Sequence, residues 1–287
     1  SDQGVQDESP DGCAAQEPHY YFFNVIRIPT GNQPIHGMSF DSTYVLVGVA
    51  LLLAAFVKGA TGLGFPLIAT PTIALLLDIR TAVTVLILPN LFMDSAQVIR
   101  DGIPYDVFRR FSSLILPTII GVFLGTMALV HTPLWILNFC LGVMVIIFVL
   151  SNMLKFDFTI SPRNEKILSP ICGLLSGFLN GLTNAAGPTL AIYLYSLKLE
   201  KRNFVKSIAT IFVTTKLTQL VAVSTWNLLN WDTLTLSGQV LLFTLAGFYA
   251  GIKAQDRVNQ KDFNRGLLIL LAVIGIILLL RSLTQQS

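Results

Sequence analysis

Charge is what this sequence has least of. Of its 287 residues only 12% are Asp, Glu, Lys or Arg, while 53% are hydrophobic. Soluble domains carry about 25% charged residues, so the composition points away from a soluble fold and towards a polytopic membrane protein. Cysteine is scarce as well. Cys13, Cys140 and Cys172 form an odd set without paired spacing and give neither a disulfide framework nor a metal site. The three histidines, His19, His36 and His131, lie outside the apolar runs, which removes the commonest metal ligand from the membrane interior. Neither HExxH nor a membrane GxSxG occurs, and Asp94 has no second intramembrane acid nearby, so an enzyme is not expected. With no phosphate-cradling nucleotide loop, ATP-driven transport would need a partner. No cofactor and no nucleic acid is expected.

What is present is a repeat. The stretch FVKGATGLGFP, residues 56–66, aligns without a gap on FLNGLTNAAGP, residues 178–188, at a shift of 122. Phe56 falls on Phe178, Gly59 on Gly181, Thr61 on Thr183 and Pro66 on Pro188; further on, Arg80 falls on Arg202, Val83 on Val205 and Gln97 on Gln219. Beyond Arg100 the shift becomes 126, placing Asp106 on Asp232, Gly121 and Gly125 on Gly247 and Gly251, and Asn138 on Asn264. The chain is therefore divided into a polar N-terminal segment (1–40), a first repeat (41–154), a cytoplasmic link (155–166) and a second repeat (167–282). The N-terminal segment reads as a flexible tail with no signal-peptide pattern. Met38 is a candidate native start, which leaves open whether residues 1–37 belong to the native chain.

Each matched stretch interrupts an apolar run. The runs are 43–57 and 67–77 around the first break, then 81–99, 112–130 and 134–154; the second half gives 167–179, 189–197, 203–223, 234–252 and 263–280. A membrane span needs about 20 apolar residues, and the runs beside the second break rise only about 20 and 14 Å. The expected fold is all-α: two inverted repeats, each a broken re-entrant hairpin followed by three transmembrane helices. Basic residues agree, since cytoplasmic loops collect them. The loops at 100–111, 155–166, 198–202 and 253–265 are rich in Lys and Arg, whereas 131–133 and 224–233 have none. Both chain ends are then expected outside, with Arg80 and Arg281 as lone exceptions. Trp135, Trp226 and Trp231 flank spans as interface anchors.

Non-helical polar backbone in a membrane is tolerated only where it is buried in protein or lines a cavity, and matched breaks in two halves mark a transporter's binding site. A proline opening each following half-helix has no N–H to lose. The glycines let the backbone approach a ligand, and the helix N-terminus favours an anion. Close helix packing through small residues is the competing reading. The candidate substrate-binding residues are Lys58, Gly59, Thr61, Gly62, Gly64, Asn90, Gln97, Asn180, Gly181, Thr183, Asn184, Gly187 and Gln219. Lys58 is the sharpest of them, because an intramembrane ammonium is expensive and usually functional; its expected partner is the substrate anion. Asp94 and Lys216, at equivalent positions, are candidates for ion coupling and could neutralise each other, although Asp94 also reads as close to the interface through its nearness to Arg100.

The glycine-rich break after the first apolar run, its second copy, and eight apolar helices in under 300 residues resemble the TauE/SafE family of sulfite and organosulfonate exporters, over roughly residues 43–280. The resemblance implies a multi-pass permease of the cell inner membrane that exports sulfite, sulfoacetate or a related sulfonate. The second copy departs from the glycine pattern, with Asn184, Ala185 and Ala186 where the first has Gly62, Leu63 and Gly64. A secondary transporter is the first expectation; an anion channel, an intramembrane enzyme or a structural subunit are the alternatives. The expected partners are the anion, the bilayer, a proton as coupling ion and further copies of the chain.

Overall fold

The structure, a computed structural model, describes residues 42–102, 104–154, 160–254 and 260–284. The tail at 1–40 and residues 155–159 of the link fall outside the described residues. Every regular element among the described residues is an α-helix: α1 (Ser42–Thr61), α2 (Phe65–Leu76), α3 (Ile79–Val85), α4 (Ile87–Asp101), α5 (Tyr105–Arg110), α6 (Ser112–His131), α7 (Leu134–Leu154), α8 (Pro162–Thr183), α9 (Gly187–Ser196), α10 (Lys201–Thr225), α11 (Trp231–Ala254) and α12 (Gln260–Thr284). Among the described residues, five stretches are long and apolar enough to cross a membrane: Ile79–Arg100, Ser112–His131, Leu134–Ser151, Arg202–Thr225 and Trp231–Ala254. The chain is a multi-pass membrane protein.

Both breaks exist, but each is narrower than the sequence pattern suggests. α1 runs on through Lys58 and Gly59 to Thr61, and the Gly62 N–H still reaches the Lys58 carbonyl at 2.8 Å. α8 likewise continues through Asn180 to Thr183. The non-helical residues are only Gly62–Gly64 and Asn184–Ala186. Gly62 and Gly64 take φ of 83° and 100°, which glycine adopts without steric cost. Asn184, at φ 60°, fills the corresponding turn with the residue type that best tolerates it after glycine. α8 is also longer than its apolar run. Ser161 caps it by accepting from the Asn164 N–H, so the polar link residues 162–166 join its first turns.

The run 81–99 is two helices rather than one. Pro89 has no N–H for the Val85 carbonyl, and the helix parts at Leu86. The freed carbonyls find partners elsewhere: Ser237 Oγ donates to Val85 O at 2.6 Å and Asn184 Nδ2 to Val83 O at 3.1 Å. Arg80 and Arg281, the two exceptions to the charge pattern, both cap helix ends. Arg80 donates to the carbonyls of Leu129 and Thr132, and Arg281 to those of Ala74 and Leu75. Each cation thus meets the negative end of a helix dipole.

The two halves interlock. α6 of the first half packs along α8 of the second, and α11 of the second along α1 of the first; α4 packs on α10, and α7 on α12. Glycines permit the first two contacts. A Cβ on Gly125 would stand 2.1 Å from Phe178 O, and one on Gly251 would stand 2.2 Å from Phe56 O. These are matched positions touching matched positions, so the repeat read from sequence is also a repeat of contacts.

Candidate functional site

The breaks carry two clusters of buried polar groups, built on the same positions of the two halves. In the first, α1 supplies Lys58 and α4 supplies Asn90, Asp94 and Gln97. In the second, α8 supplies Asn180, Asn184 follows it in the break, and α10 supplies Lys216 and Gln219. All of these residues are buried, with Asn90 and Asp94 fully so.

One hydrogen bond is common to both clusters. Gln97 Nε2 donates to Lys58 O at 3.2 Å, and Gln219 Nε2 donates to Asn180 O at 3.1 Å. Each glutamine holds the last turn of a broken helix against a long one. The charged positions differ. Lys58 Nζ lies 2.7 Å from Asp94 Oδ1, an ion pair close in distance but poorly aligned for a hydrogen bond. It also donates to Asn90 Oδ1 at 3.1 Å and lies over the Phe212 ring, 5.6 Å from its centre. Lys216 Nζ instead donates to three side-chain amide oxygens: Asn184 Oδ1 at 2.6 Å, Gln219 Oε1 at 2.7 Å and Asn180 Oδ1 at 3.1 Å. Its three donors are filled, yet by neutral groups.

This corrects the expected pairing. Asp94 is buried and does not take Lys216 as its direct partner; its contact is Lys58 on α1. Nor is Lys58 an unpaired ammonium at a hairpin tip, since it lies in the last turn of α1. Thr183 Oγ1 donates back along its own helix to Leu179 O, and Thr61 Oγ1 is engaged with Val57 O of its helix and with Leu63 in the break. Gly59 and Gly181 serve helix packing, because a Cβ would stand 2.3 Å from Phe248 O and 2.4 Å from Val122 O respectively. Gly62 lies beside Gln97 and Val205, and Gly64 beside Val57.

The half-helices that restart after the breaks meet each other. A Cβ on Gly187, the first residue of α9, would touch Leu67 in the first turn of α2 at 3.5 Å. Neither α2 nor α9 has a side chain capping its first N–H groups, and each has proline at its start. Two helix N-termini therefore abut close to two buried lysines, and partial positive charge is concentrated there. Phe212 was not legible as a site residue, although it falls on Asn90 at the 122-residue shift and stands one turn from Lys216 on α10. Ser237 and the Val83 carbonyl had no sequence signal at all.

The two ends of the bundle are closed by different contacts. At one end Lys206 pairs with Asp106 at 2.8 Å, Ile160 N donates to Ser196 O, and Ser113 meets Ser169. The hydrogen bond from Lys206 holds the exposed Asp106 carboxyl below the usual carboxylate range. At the other end His131 meets Trp226 edge to face, beside the carbonyls that Arg80 caps. Searches of curated proteins and of solved structures find no match for this chain. The sequence profile of the sulfite exporter TauE/SafE family matches residues 47–278, and the chain belongs to that family.

Proposed function

We propose that this protein is a secondary transporter that exports a small sulfur-containing oxyanion, such as sulfite, sulfoacetate or a related organosulfonate, across the cell inner membrane. The observation that carries the reading beyond the family is Lys216: a fully buried ammonium met by neutral amide oxygens, beside two abutting helix N-termini. Amides solvate the charge without neutralising it, and a buried net charge is costly. An anion entering between α2 and α9 relieves that cost. It would take over the ammonium by displacing Asn184, which sits in the break itself and not in a helix.

The hairpins are re-entrant and inverted in this reading. α2 and α9, of 12 and 10 residues, rise only about 18 and 15 Å, half of a bilayer core. α2 ends beside Arg281, whereas α9 ends where Ser196 meets the link, among the Lys- and Arg-rich loops. Two hairpins opening to opposite faces and meeting at the midplane would place the anion there. The domain boundaries proposed above follow the same division.

Flux of sulfite and of sulfoacetate into vesicles containing the purified protein tests the proposal. Saturable uptake with counterflow is expected. Flux that does not saturate and shows no counterflow would identify an anion channel, and no flux of either anion would remove the substrate class.

A further inference from the structure

The mechanism so far uses Lys216 and leaves a second buried group without a role. Asp94 Oδ2 is sealed from solvent and has no hydrogen-bond partner. Gln97 Oε1, one turn along α4, is in the same condition. Buried acceptors left unsatisfied are rare and costly, and here two lie on one face of the helix that borders the first break. The matching oxygen in the second half, Gln219 Oε1, is fully used by Lys216 and Asn180. The first cluster thus lacks a donor where the second holds one.

A metal cation fits this gap poorly. It would need several oxygens at once, and the Lys58 ammonium already stands against the same carboxylate. A proton needs one oxygen. The charged groups that face Asp94 are Lys58 on α1 and Lys216 on α10. α11 brings none, because its Asp232, Tyr249 and Lys253 are exposed, and Arg80 of α3 is engaged with helix-end carbonyls. With both lysines protonated and Asp94 ionised, the buried set of Lys58, Asp94 and Lys216 sums to a single positive charge. A monoanion brings that sum to zero. A dianion brings it to minus one, and one proton on Asp94 restores neutrality.

We infer that Asp94 carries the proton that accompanies a dianionic substrate, released from Lys58 when the anion arrives. The inference rests on the transport reading above. The sequence of events balances: the dianion takes up Lys58 as well as Lys216, the Lys58–Asp94 contact opens, and a proton from water on the loading side binds Oδ2 to give the neutral acid. Gln97 Oε1 is placed to accept its O–H. When the anion leaves on the other side, the proton leaves too, and the carboxylate returns to Lys58. No other bond forms or breaks.

Sulfoacetate, whose two acidic groups are both ionised at neutral pH, and methanesulfonate, a monoanion, are the probes. In vesicles of the intact protein with a trapped pH indicator, sulfoacetate should move about one proton in its own direction and methanesulfonate none. Infrared difference spectra of the purified protein should show a carboxylic-acid C=O band on adding sulfoacetate, shifted in Asp94→Glu and absent in Asp94→Asn. Sulfoacetate flux without protons, proton movement that persists in Asp94→Asn, a requirement for sodium, or binding with no acid band would each overturn the inference while leaving transport intact. If the unaltered protein moves neither anion, the transport reading itself fails and the inference falls with it. Should Asp94→Asn not fold, the band in the unaltered protein and its shift in Asp94→Glu still decide.

Discussion

The two broken helices occupy matched positions, are held by the same glutamine bond and pack through the same glycines, yet they are charged in opposite ways. In the first half the lysine stands on the broken helix and faces a carboxylate on the long one. In the second half the lysine has moved to the long helix and faces an amide on the broken one, Asn180. The Lys58–Asp94 pair and the Lys216–Asn180 pair are the same two positions, separated by 36 residues in each half. A duplicated frame has thus been given one neutral ion pair and one uncompensated cation. The uncompensated cation suits an anion, and the neutral pair suits a charge that must come and go.

Neutralising the two lysines in turn strains this comparison most. Lys58→Met takes the partner from a buried carboxyl, which costs about 3–5 kcal/mol while that group stays ionised, and should sharply lower recovery of folded protein above the pH at which Asp94 protonates; adding Asp94→Asn should restore it. Lys216→Met leaves only amides, two of which already bond each other through Asn180 Nδ2 and Gln219 Oε1. It should fold, while calorimetry should find sulfite binding weakened by about tenfold or more, roughly 1.4 kcal/mol. Equal effects of the two substitutions on folding would break the distinction.

Next come the glycines. Gly125→Val and Gly251→Val push a side chain into backbone at matched helix crossings and should each cost about 3 kcal/mol, the upper part of the usual range for overpacking. Similar falls in melting temperature would confirm equivalent packing, and a tolerant Gly251 would show the α1–α11 crossing to be loose. The smallest effect is expected at Ser237→Ala, about 1 kcal/mol for orphaning the Val85 carbonyl. It has no counterpart in the second half, since α10 contains no proline and runs unbroken. A melting temperature unchanged in Ser237→Ala would mean that the carbonyl released by Pro89 has another partner.

Much of this was legible in the residues. Apolar runs of about 20 residues are long enough to be spans, and proline after a polar interruption restarts a helix, so the long helices and both breaks followed from composition and order. So did the residues of the two buried polar clusters. Lys58, Asn90, Asp94 and Gln97 come together in one cluster, and Asn180, Asn184, Lys216 and Gln219 in the other, because polar groups inside a membrane must gather away from lipid.

What the sequence by itself determined is the repeat, and with it the list of positions that correspond. Tertiary structure alone decided which of them touch. Lys58 and Asp94 are 36 residues apart on helices that meet only through packing, so no local period relates them, and the sequence offered Lys216 as the partner of Asp94 and the substrate anion as the partner of Lys58. The exact limits of the breaks were decided in the same way. Gly59 and Gly181 look like ligand-binding glycines when read alone, but the facing helices α11 and α6 come close enough to need their missing side chains. The Val85 carbonyl freed by Pro89 is claimed by Ser237, and the Val83 carbonyl beside the helix break by Asn184, both from distant parts of the chain. A hydrogen bond to a freed carbonyl depends on where a neighbour's backbone lies, and that position exists only once the helices have packed.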